Sequence, residues 1–265
     1  MQNQEQSLEL DTALAAARAA GNISRRYYRS NMAVEIKADR TPVTEADVAC
    51  EKAIRNIILQ RFPQHGFFGE ETGRTRPDSE YLWLVDPIDG TKGFLRQYPF
   101  FSTQIALMRD GELILGVSNG VLFDELAWAE KGSGAWLNGE RLRVSATGEP
   151  AQAALSTGNL KSLAAGKGWT ALGELVTSVD RIRGYGDFYH YHLLAAGKID
   201  AVVESDVNIL DIAALSVIVT EAGGVFTDLS GKAPGLDTTS VLAANGALHP
   251  VLLERFDQWD TPAPS

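Results

Sequence analysis

The sequence predicts an α+β protein built from stacked layers of helices and sheets, and three observations predict it. Helical spacing of apolar residues dominates the first sixty or so positions, 8–62. Short strands separated by turn residues follow over 101–144, and strand-like and helical segments alternate after about 148. We expect one domain over 1–265, with an N-terminal α+β half to about 147, a C-terminal α/β half over about 148–256, and a frayed tail over 257–265.

Two helices are predicted in the first sixty residues. Apolar spacing predicts the first over 8–29, and a polar, proline-containing loop follows over 37–42. Thr44 to Asp47 has the form of a capping box and begins the second helix, which Pro63 ends. A short strand is predicted over 66–68.

The next strand runs into an acidic turn. Residues 81–85 are apolar, aromatic or β-branched, as in a strand with both faces covered, and Pro87 interrupts its hydrogen bonding. Asp86 and Asp89 therefore lie close together at the end of a rigid strand, where a divalent cation with oxygen ligands would relieve their repulsion. The backbone N–H groups of Gly90 and Thr91 suit an anion such as phosphate. The alternative is a strand that ends in a solvated Asp-Gly turn.

The remaining chain predicts an antiparallel meander and then an alternating region. Asn138-Gly139 marks a hairpin between residues 136–137 and 141–144. The predicted strands are 102–108, 113–121, 125–130, 153–157, 201–204, 225–227 and 240–244. The predicted helices are 162–176, 188–196, 211–222 and 250–256.

Bulk properties exclude several classes of function. The net charge of −10, without a basic patch, argues against a binder of nucleic acid or anionic membranes. The single cysteine, Cys50, excludes an internal disulfide and fits a reducing compartment. The N-terminal residues lack the pattern of a signal peptide, and no apolar run is long enough to span a membrane. We expect a cytoplasmic protein.

Acidic residues beside predicted element ends are the candidates for chemistry. Asp211 is informative because it begins a strongly apolar helix, where a buried charge needs a partner such as a metal. The alternative for Asp211 is a simple helix N-cap. The candidates are Asp47, Glu70, Glu71, Asp86, Asp89 and Asp211.

Taken together, these motifs resemble the inositol monophosphatase family of magnesium-dependent, lithium-sensitive phosphatases. The resemblance is carried by G-E-E at 69–71, D-P-I-D-G-T at 86–91, D-I-A-A at 211–214 and E-A-G-G at 221–224. It extends from about the first helix to residue 244. The resemblance implies a layered α-β-α-β-α sandwich of the inositol monophosphatase and fructose-1,6-bisphosphatase type, and a homodimer.

The resemblance implies a metal centre of two to three Mg²⁺ ions. Glu70, Asp86 and the carbonyl of Ile88 would hold the first ion. Asp86, Asp89 and Asp211 would hold the second, and a third, weaker ion would lie near Glu70. Carboxylates suit Mg²⁺, Mn²⁺ is a possible substitute, and Li⁺ and Ca²⁺ are expected inhibitors. Two metals about 3.5–4 Å apart can clamp an in-line phosphoryl displacement.

The resemblance also implies the catalytic and phosphate-binding groups. Glu70 and Thr91 would orient and deprotonate the nucleophilic water, and Asp47 would support Thr91. The N–H groups of Gly90 and Thr91 would bind phosphate oxygens. A covalent mechanism is not indicated, because no Ser or Cys lies in a nucleophile context.

The segment before Asp211 bears on which phosphate ester is cleaved. Gly-Asp-Phe-Tyr at 186–189 is similar to the histidinol-phosphate phosphatase branch, whereas inositol-specific members have a small residue where Asp187 stands. Asp187 and Glu204 could pair with the ammonium and imidazole of histidinol phosphate, through hydrogen bonds worth about 1.5–3 kcal/mol each. Asp89 and Asp211 would also line the substrate site. The alternative for Asp187 is a helix N-cap.

We therefore expect a small phosphorylated substrate, most specifically L-histidinol phosphate in histidine biosynthesis. The alternative is an inositol-1-monophosphatase or a broad-specificity sugar or nucleotide phosphatase. Enzymes for bisphosphates fit less well, because Arg183 is the only basic candidate nearby. Two non-catalytic alternatives are a metal-bound binding protein and a scaffold, for which no motif is present.

Overall fold

Helices and strands alternate along a computed structural model that describes residues 6–30, 34–36 and 42–256. The helices in this part of the chain are α1 (Leu8–Tyr27), α2 (Glu45–Arg61), α3 (Thr91–Leu95), α4 (Lys161–Ala164), α5 (Gly168–Ser178), α6 (Asp187–Ala195), α7 (Ile209–Glu221) and α8 (Leu248–Leu253). The first strands are β1 (Val34–Ile36), β2 (Pro42–Thr44), β3 (Gly66–Gly69), β4 (Gly73–Thr75), β5 (Tyr81–Asp89), β6 (Ser102–Arg109), β7 (Glu112–Gly120) and β8 (Glu125–Glu130). The later strands are β9 (Gly134–Leu137), β10 (Glu140–Arg141), β11 (Ala154–Thr157), β12 (Arg181–Arg183), β13 (Ala201–Ser205), β14 (Gly224–Thr227) and β15 (Ser240–Asn245).

Two sheets form the frame of the molecule. An eight-stranded sheet has the order β10-β9-β8-β7-β6-β5-β3-β4, and it is antiparallel except where β3 runs parallel to β5. A five-stranded sheet has the order β12-β11-β13-β15-β14. There β11 pairs in parallel with both neighbours, whereas the other pairs are antiparallel. The meander predicted from the sequence is confirmed as the larger sheet.

Helices cover both faces of each sheet. Apolar side chains of α1 and α2 share a buried cluster with one face of the large sheet. Side chains of α6 and α7 share a second cluster with the other face of that sheet and with the inner face of the small one. Side chains of α5 and α8 share a third cluster with the outer face of the small sheet. The predicted α-β-α-β-α sandwich is therefore confirmed.

Strand β5 shows why its sequence is apolar on both sides. Leu82 and Leu84 belong to the cluster between the two sheets, whereas Trp83 and Val85 belong to the cluster under α1 and α2. Side chains alternate faces along a strand, so a strand covered on both faces needs apolar residues at every position. This burial fixes the strand from which the acidic turn emerges.

Several element boundaries differ from those predicted. Strand β5 extends to Asp89 rather than ending at residue 85, because its pairing with β6 shifts register between Asp86 and Asp89 and then resumes. The helix predicted over 162–176 is two helices, α4 and α5, separated near Gly166. Glycine lowers helix stability by about 1 kcal/mol relative to Ala, which favours a break there. The last helix begins at Leu248, two residues early, which places Pro250 in its first turn, where its missing N–H is not needed.

Two predicted segments lie wholly or largely outside the described residues. The tail at 257–265 is one, and the loop at 37–42 is described only from its last residue, where β2 begins. Within the described residues, none of the helices combines the length and apolar character needed to cross a membrane.

Candidate active site

The acidic end of β5 is held rigidly in the interior. Asp86 is 3% exposed and Asp89 is 8% exposed. One Asp86 oxygen accepts a hydrogen bond from the N–H of Ile88 at 3.0 Å, which closes the turn. One Asp89 oxygen accepts from the hydroxyl of Ser102 at 3.1 Å, across the β5–β6 pair. Each carboxylate is therefore oriented by the strand itself or by its neighbour.

Asp211 joins these two from the start of α7. It is the third residue of the helix and closes a capping box with Asn208, accepting from its N–H at 2.9 Å and from its side-chain amide at 2.7 Å. The N-cap is thus Asn208 and not Asp211, although Asp211 does take part in capping. Candidate ligand oxygens of Asp86, Asp89 and Asp211 all lie within 4.8 Å of one another.

Asp47 approaches from α2 in the same kind of capping box. One of its oxygens accepts from the N–H of Thr44 at 2.8 Å and from the Thr44 hydroxyl at 2.5 Å. Its other oxygen lies 3.4 Å from the hydroxyl of Thr91, which also lies 3.0 Å from the carbonyl of Ile88. A hydroxyl carries one proton, so the shorter contact to Ile88 is the stronger of the two.

Gly90 allows the chain to turn sharply between β5 and α3. Its φ is 86°, in the left-handed region that side chains disfavour. A Cβ at this position would also lie 2.6 Å from the carbonyl oxygen of Phe100. The turn therefore requires glycine, and it directs the chain of Gly90 and Thr91 past the two aspartates.

Glu70 follows β3, and its N–H donates to the carbonyl of Val85 at 3.2 Å, so it lies beside Asp86 at the end of the parallel strand pair.

Sequence reasoning missed Glu51, which is 1% exposed on α2. Its two carboxylate oxygens accept from the N–H groups of Glu71 and Thr72 at 2.7 and 2.9 Å. The signal that could have found Glu51 is its position four residues after Asp47, which places an acid on the same buried face of the predicted helix.

Burial and mutual repulsion raise the pKa values of this acid cluster. Burial is the first cause for Asp86, whose pKa lies well above its usual value, and the charges of Glu70, Asp89 and Asp211 add to it. Burial and the charges of Asp187 and Asp211 act in the same way on the pKa of Asp89. The pKa of Asp211 is raised to about 7, first by burial.

Such a cluster has the chemistry of a metal site. Within the described residues, its three members all offer carboxylate oxygens and none offers sulfur or imidazole, which suits a hard divalent cation. Buried acids that repel one another at this range are stabilised in their charged form by a cation between them. The residues present therefore fit a divalent metal.

The metal-free protein should lose stability as pH rises. An aspartate has a pKa of about 3.9 when unfolded, and the folded pKa of Asp211 is about 7. The folded state then binds more protons, so the stabilisation is full below the unfolded pKa and is lost as pH rises through about 7. We expect a higher Tm in EDTA at about pH 5.5 than at about pH 8, by differential scanning fluorimetry. Saturating Mg²⁺ should oppose this trend, and a Tm in EDTA that rises with pH would contradict the prediction.

Asp187 lies beside this cluster at the start of α6. Its φ is 44° and Gly186 before it has a φ of 69°. Gly186 is the N-cap and makes no side-chain capping bond, so the alternative of Asp187 as N-cap is wrong. Among the described residues, the Asp187 carboxylate has no hydrogen-bond or ion-pair partner. Burial and the charge of Glu204 raise its pKa to about 6.

Glu204, which interacts electrostatically with Asp187, is held in place by hydrogen bonds from the protein. Its oxygens accept from the N–H of Asn159 at 3.1 Å and from the hydroxyl of Tyr191 at 2.8 Å. Nε2 of His190 lies 3.2 Å from Glu204, outside hydrogen-bond geometry. A Cβ at Gly158 would lie 2.0 Å from the same carboxylate, so glycine is required there. His190 and Tyr191 are both buried, and Tyr191 supports Glu204 whereas Nδ1 of His190 contacts the Ser156 hydroxyl at 3.2 Å.

An aromatic wall adjoins Asp187. Tyr189 stacks on Phe123 with ring centroids 4.6 Å apart and meets Phe100 edge-on at 5.8 Å. Tyr185 meets Tyr189 edge-on at 6.4 Å. All four rings are partly exposed, and Phe100 is the residue whose carbonyl lies against Gly90. Tyr185 and Tyr189 of this wall each stand two residues from Asp187 in the chain.

Comparisons with known proteins agree with this geometry. The model of the inositol monophosphatase family matches residues 5–260. A histidinol-phosphatase of Mycobacterium tuberculosis is 38% identical over 94% of this chain and 98% of its own length. An inositol-1-monophosphatase of Caulobacter vibrioides is 35% identical over 91% of this chain and 98% of its own.

Solved structures share the same architecture. The extragenic suppressor protein suhB of Bartonella henselae superposes with a TM-score of 0.88 at 32% identity, over 96% of this chain and 100% of that one. An inositol monophosphatase from Anabaena superposes with a TM-score of 0.83 at 32% identity, over 94% and 95% of the two chains. The layered fold, the converging carboxylates and these matches agree, and the chain belongs to the inositol monophosphatase family, whose members are metal-dependent phosphomonoester hydrolases.

Proposed function

We propose that the protein is a Mg²⁺-dependent histidinol-phosphate phosphatase, which hydrolyses L-histidinol phosphate to L-histidinol and phosphate in histidine biosynthesis. The observation that carries the proposal is Asp187. Among the described residues its carboxylate has no hydrogen-bond or ion-pair partner, and it interacts electrostatically with Asp89 of the acid cluster and with Glu204. The nearby relatives named histidinol-phosphatase support the same substrate.

The chemistry of the substrate matches the arrangement of charges. Its phosphate suits the metal cluster, and its ammonium and imidazole can pair with Asp187 and Glu204. Charge-assisted hydrogen bonds contribute about 1.5–3 kcal/mol each. The Glu204 carboxylate is restrained by hydrogen bonds from Asn159 and Tyr191. The Asp187 carboxylate makes no hydrogen bond among the described residues, so its oxygens can accept from the substrate. An inositol ring carries no cation and gains little from a second acid.

The aromatic wall supports the same substrate class. Imidazole is flat, and its ring can pack against the faces or edges of Tyr185, Phe100 and Tyr189. When the ring is protonated, a cation–π contribution of about 0.5–2 kcal/mol adds to this packing. The wall lies next to Asp187, so one ring can contact both the acid and the aromatic surface.

We assign the metal ligands as the resemblance to the family implies. Glu70, Asp86 and the carbonyl of Ile88 would hold one Mg²⁺, and Asp86, Asp89 and Asp211 a second, with a weaker third near Glu70. A metal held by these residues would supply Lewis-acid chemistry, which lowers the pKa of a bound water and offsets charge on a leaving oxygen. Mn²⁺ is expected to substitute, and Li⁺ and Ca²⁺ to inhibit.

The residues around the metals have separate roles. Glu70 accepts the proton of the nucleophilic water, and the Thr91 hydroxyl orients that water while Asp47 and the Ile88 carbonyl restrain the hydroxyl. The N–H groups at the Gly90 turn bind phosphate oxygens. Asp187 and Glu204 hold the alcohol portion, so the phosphorus is presented to the water in one orientation.

Phosphate release from L-histidinol phosphate and from myo-inositol 1-phosphate, measured side by side, tests this proposal. We expect kcat/KM with Mg²⁺ to favour histidinol phosphate by about tenfold or more, as one charge-assisted bond would give, and EDTA to abolish release from both. If myo-inositol 1-phosphate is hydrolysed as well or better, the protein is a broader phosphatase. If neither is hydrolysed with Mg²⁺, the non-catalytic alternative gains support.

The second candidate is an inositol-1-monophosphatase. It is favoured by the similarity to the Caulobacter vibrioides protein of that name, and it needs no role for Asp187. The homodimer, which the family resemblance implies, and the cytoplasmic location, which the sequence predicts, remain predictions.

A further inference from the structure

A buried row of polar side chains crosses the large sheet beneath α6. It begins at Asp89 and continues through Ser102 and Gln104 of β6 to Ser118 of β7, which faces Gln104 in the strand register. Each of these three neutral side chains is at most 1% exposed. Buried polar groups are unfavourable unless they are hydrogen-bonded, and the surrounding layer is otherwise apolar. The metal-centre roles proposed above account for Asp89 alone.

The first part of the row fixes Asp89. The hydroxyl of Ser102 donates to Asp89 at 3.1 Å, and its oxygen accepts from the side-chain amide of Gln104 at 2.7 Å. The same amide donates its second hydrogen to Ser118 at 3.0 Å. In this orientation Gln104 is a double donor whose own side-chain oxygen is buried and unpaired among the described residues. The amide holds the Ser102 oxygen so that the Ser102 proton is directed to Asp89.

The row continues to the edge of the active site. Nε2 of His192 lies 2.9 Å from the Ser118 hydroxyl, and Nδ1 lies 2.8 Å from a carboxylate oxygen of Glu125. His192 is 2% exposed, whereas the Glu125 side chain is 18% exposed. The charge of Glu125 also contributes to the raised pKa of Tyr189, after burial, so the row ends near the aromatic wall.

With both carboxyl groups ionised and one proton on the His192 ring, a single set of proton positions satisfies every contact. Both ends of the row are carboxylates, which accept only when ionised. Ser118 already accepts from Gln104, so its hydroxyl donates to Nε2 of His192, which leaves the Nδ1 hydrogen for Glu125. The donors point outward from Gln104 in both directions. A row that carries a proton from end to end needs all its donors to point the same way. Because the donors here point in opposite directions from Gln104, the row is suited to holding groups in place.

We propose that His192 and Glu125 are positioning residues of the metal centre, which act through Ser118 and Gln104 on the Ser102 hydroxyl that orients Asp89. The inference rests on the proposed metal site and extends it. Partners of this kind typically change metal affinity about 10–100-fold when they contact the ligand directly. Since His192 lies three contacts further away, we expect a smaller effect, about 3–10-fold.

Isothermal titration of Mn²⁺ into the full chain, without substrate, tests the proposal. His192→Leu and Ser118→Ala should weaken Mn²⁺ binding by about 3–10-fold. His192→Gln supplies a side-chain oxygen for the Ser118 hydroxyl and should restore most of the affinity. The matched controls are Ser216→Ala, a buried serine bonded within α7, and His249→Asn, a buried histidine bonded to Thr227. Both should bind Mn²⁺ as the wild type does.

A second readout separates positioning from stability. With p-nitrophenyl phosphate, the Mg²⁺ concentration for half-maximal rate should rise in His192→Leu, while kcat at saturating Mg²⁺ and the KM for the ester stay near the wild-type values. Unchanged Mn²⁺ affinity in His192→Leu and Ser118→Ala, with a lowered Tm, would overturn the proposal and leave the row purely structural. Glu125→Leu, at the partly exposed end, should weaken Mn²⁺ binding about twofold and provides the test if the buried variants do not fold.

These outcomes are independent of the proposed substrate. A wild type that binds Mn²⁺ and hydrolyses p-nitrophenyl phosphate but not L-histidinol phosphate would refute the proposed substrate. The inference about His192 and Glu125 would then still be decided by the Mn²⁺ affinities of the variants relative to the wild type. A wild type that binds no divalent ion would overturn both.

Discussion

Asp86→Asn is expected to lower kcat/KM by more than about 100-fold while raising the Tm of the metal-free protein. Asp86 is the carboxylate that both proposed metals share, so its loss removes charge from each. Without metal, however, burial and four neighbouring acids oppose its ionisation and raise its pKa. Asparagine keeps an oxygen for the N–H of Ile88 and removes the repulsion.

The measurement is a pair of melting curves, in EDTA and in Mg²⁺, beside steady-state kinetics. A stabilisation of about 1 kcal/mol corresponds to a rise of about 2–4 °C, and the shift between EDTA and Mg²⁺ should shrink. Asp200→Asn is the matched control, because Asp200 is equally buried but bonds Ser145 and the N–H of Ala154. It should lower the Tm in both conditions and leave kcat at saturating Mg²⁺ unchanged. A lower Tm for Asp86→Asn in EDTA would contradict the charge-repulsion account.

Asp187→Asn is expected to remove the preference for L-histidinol phosphate. Loss of one charge-assisted hydrogen bond should reduce kcat/KM for this substrate by about 10–100-fold. The rate with myo-inositol 1-phosphate should change by less than about threefold, because that substrate has no cation to pair. Asparagine is the informative replacement, since it tolerates the left-handed φ of 44°, whereas alanine would add backbone strain.

Asp124→Asn provides the control for this experiment. Asp124 also has a left-handed backbone, with a φ of 53°, but its side chain is 83% exposed and pairs with Arg25. Exposed ion pairs contribute little, so neither substrate should be affected. Equal losses on both substrates in Asp187→Asn would instead indicate that Asp187 acts on the chemistry rather than on the choice of substrate.

The sequence was sufficient for the parts of the site that depend on local patterns. Asp86 and Asp89 lie at the end of a strand whose composition is distinctive, and Asp211 lies in the first turn of an apolar helix. Periodicity also predicted the layers, because each layer buries a face with its own spacing. Boundaries were less well predicted, as in the helix divided at Gly166, because tertiary packing decides where such segments end.

The supporting contacts were not predictable in this way. Glu51 binds the N–H groups of Glu71 and Thr72 twenty residues away, and His192 reaches Ser118 across seventy-four positions. Such pairs form only when distant elements are packed together, and a single sequence gives no sign of which polar residue will meet which. A buried acid or histidine inside an apolar pattern is the one local indication that a partner exists.

Helix α7 lies between the two sheets and is buried over nearly its whole length, yet it supplies Asp211 at its first turn. An ion held by Asp211 and by the end of β5 would tie this central helix to the large sheet. Separation of the two sheets would then require release of the ion, which at 100 times its Kd adds about 2.7 kcal/mol to the free energy of unfolding. Helix α7 is buried both with and without metal. The rate of amide hydrogen exchange in α7 should therefore depend on metal occupancy more strongly than the rate in α1 or α5.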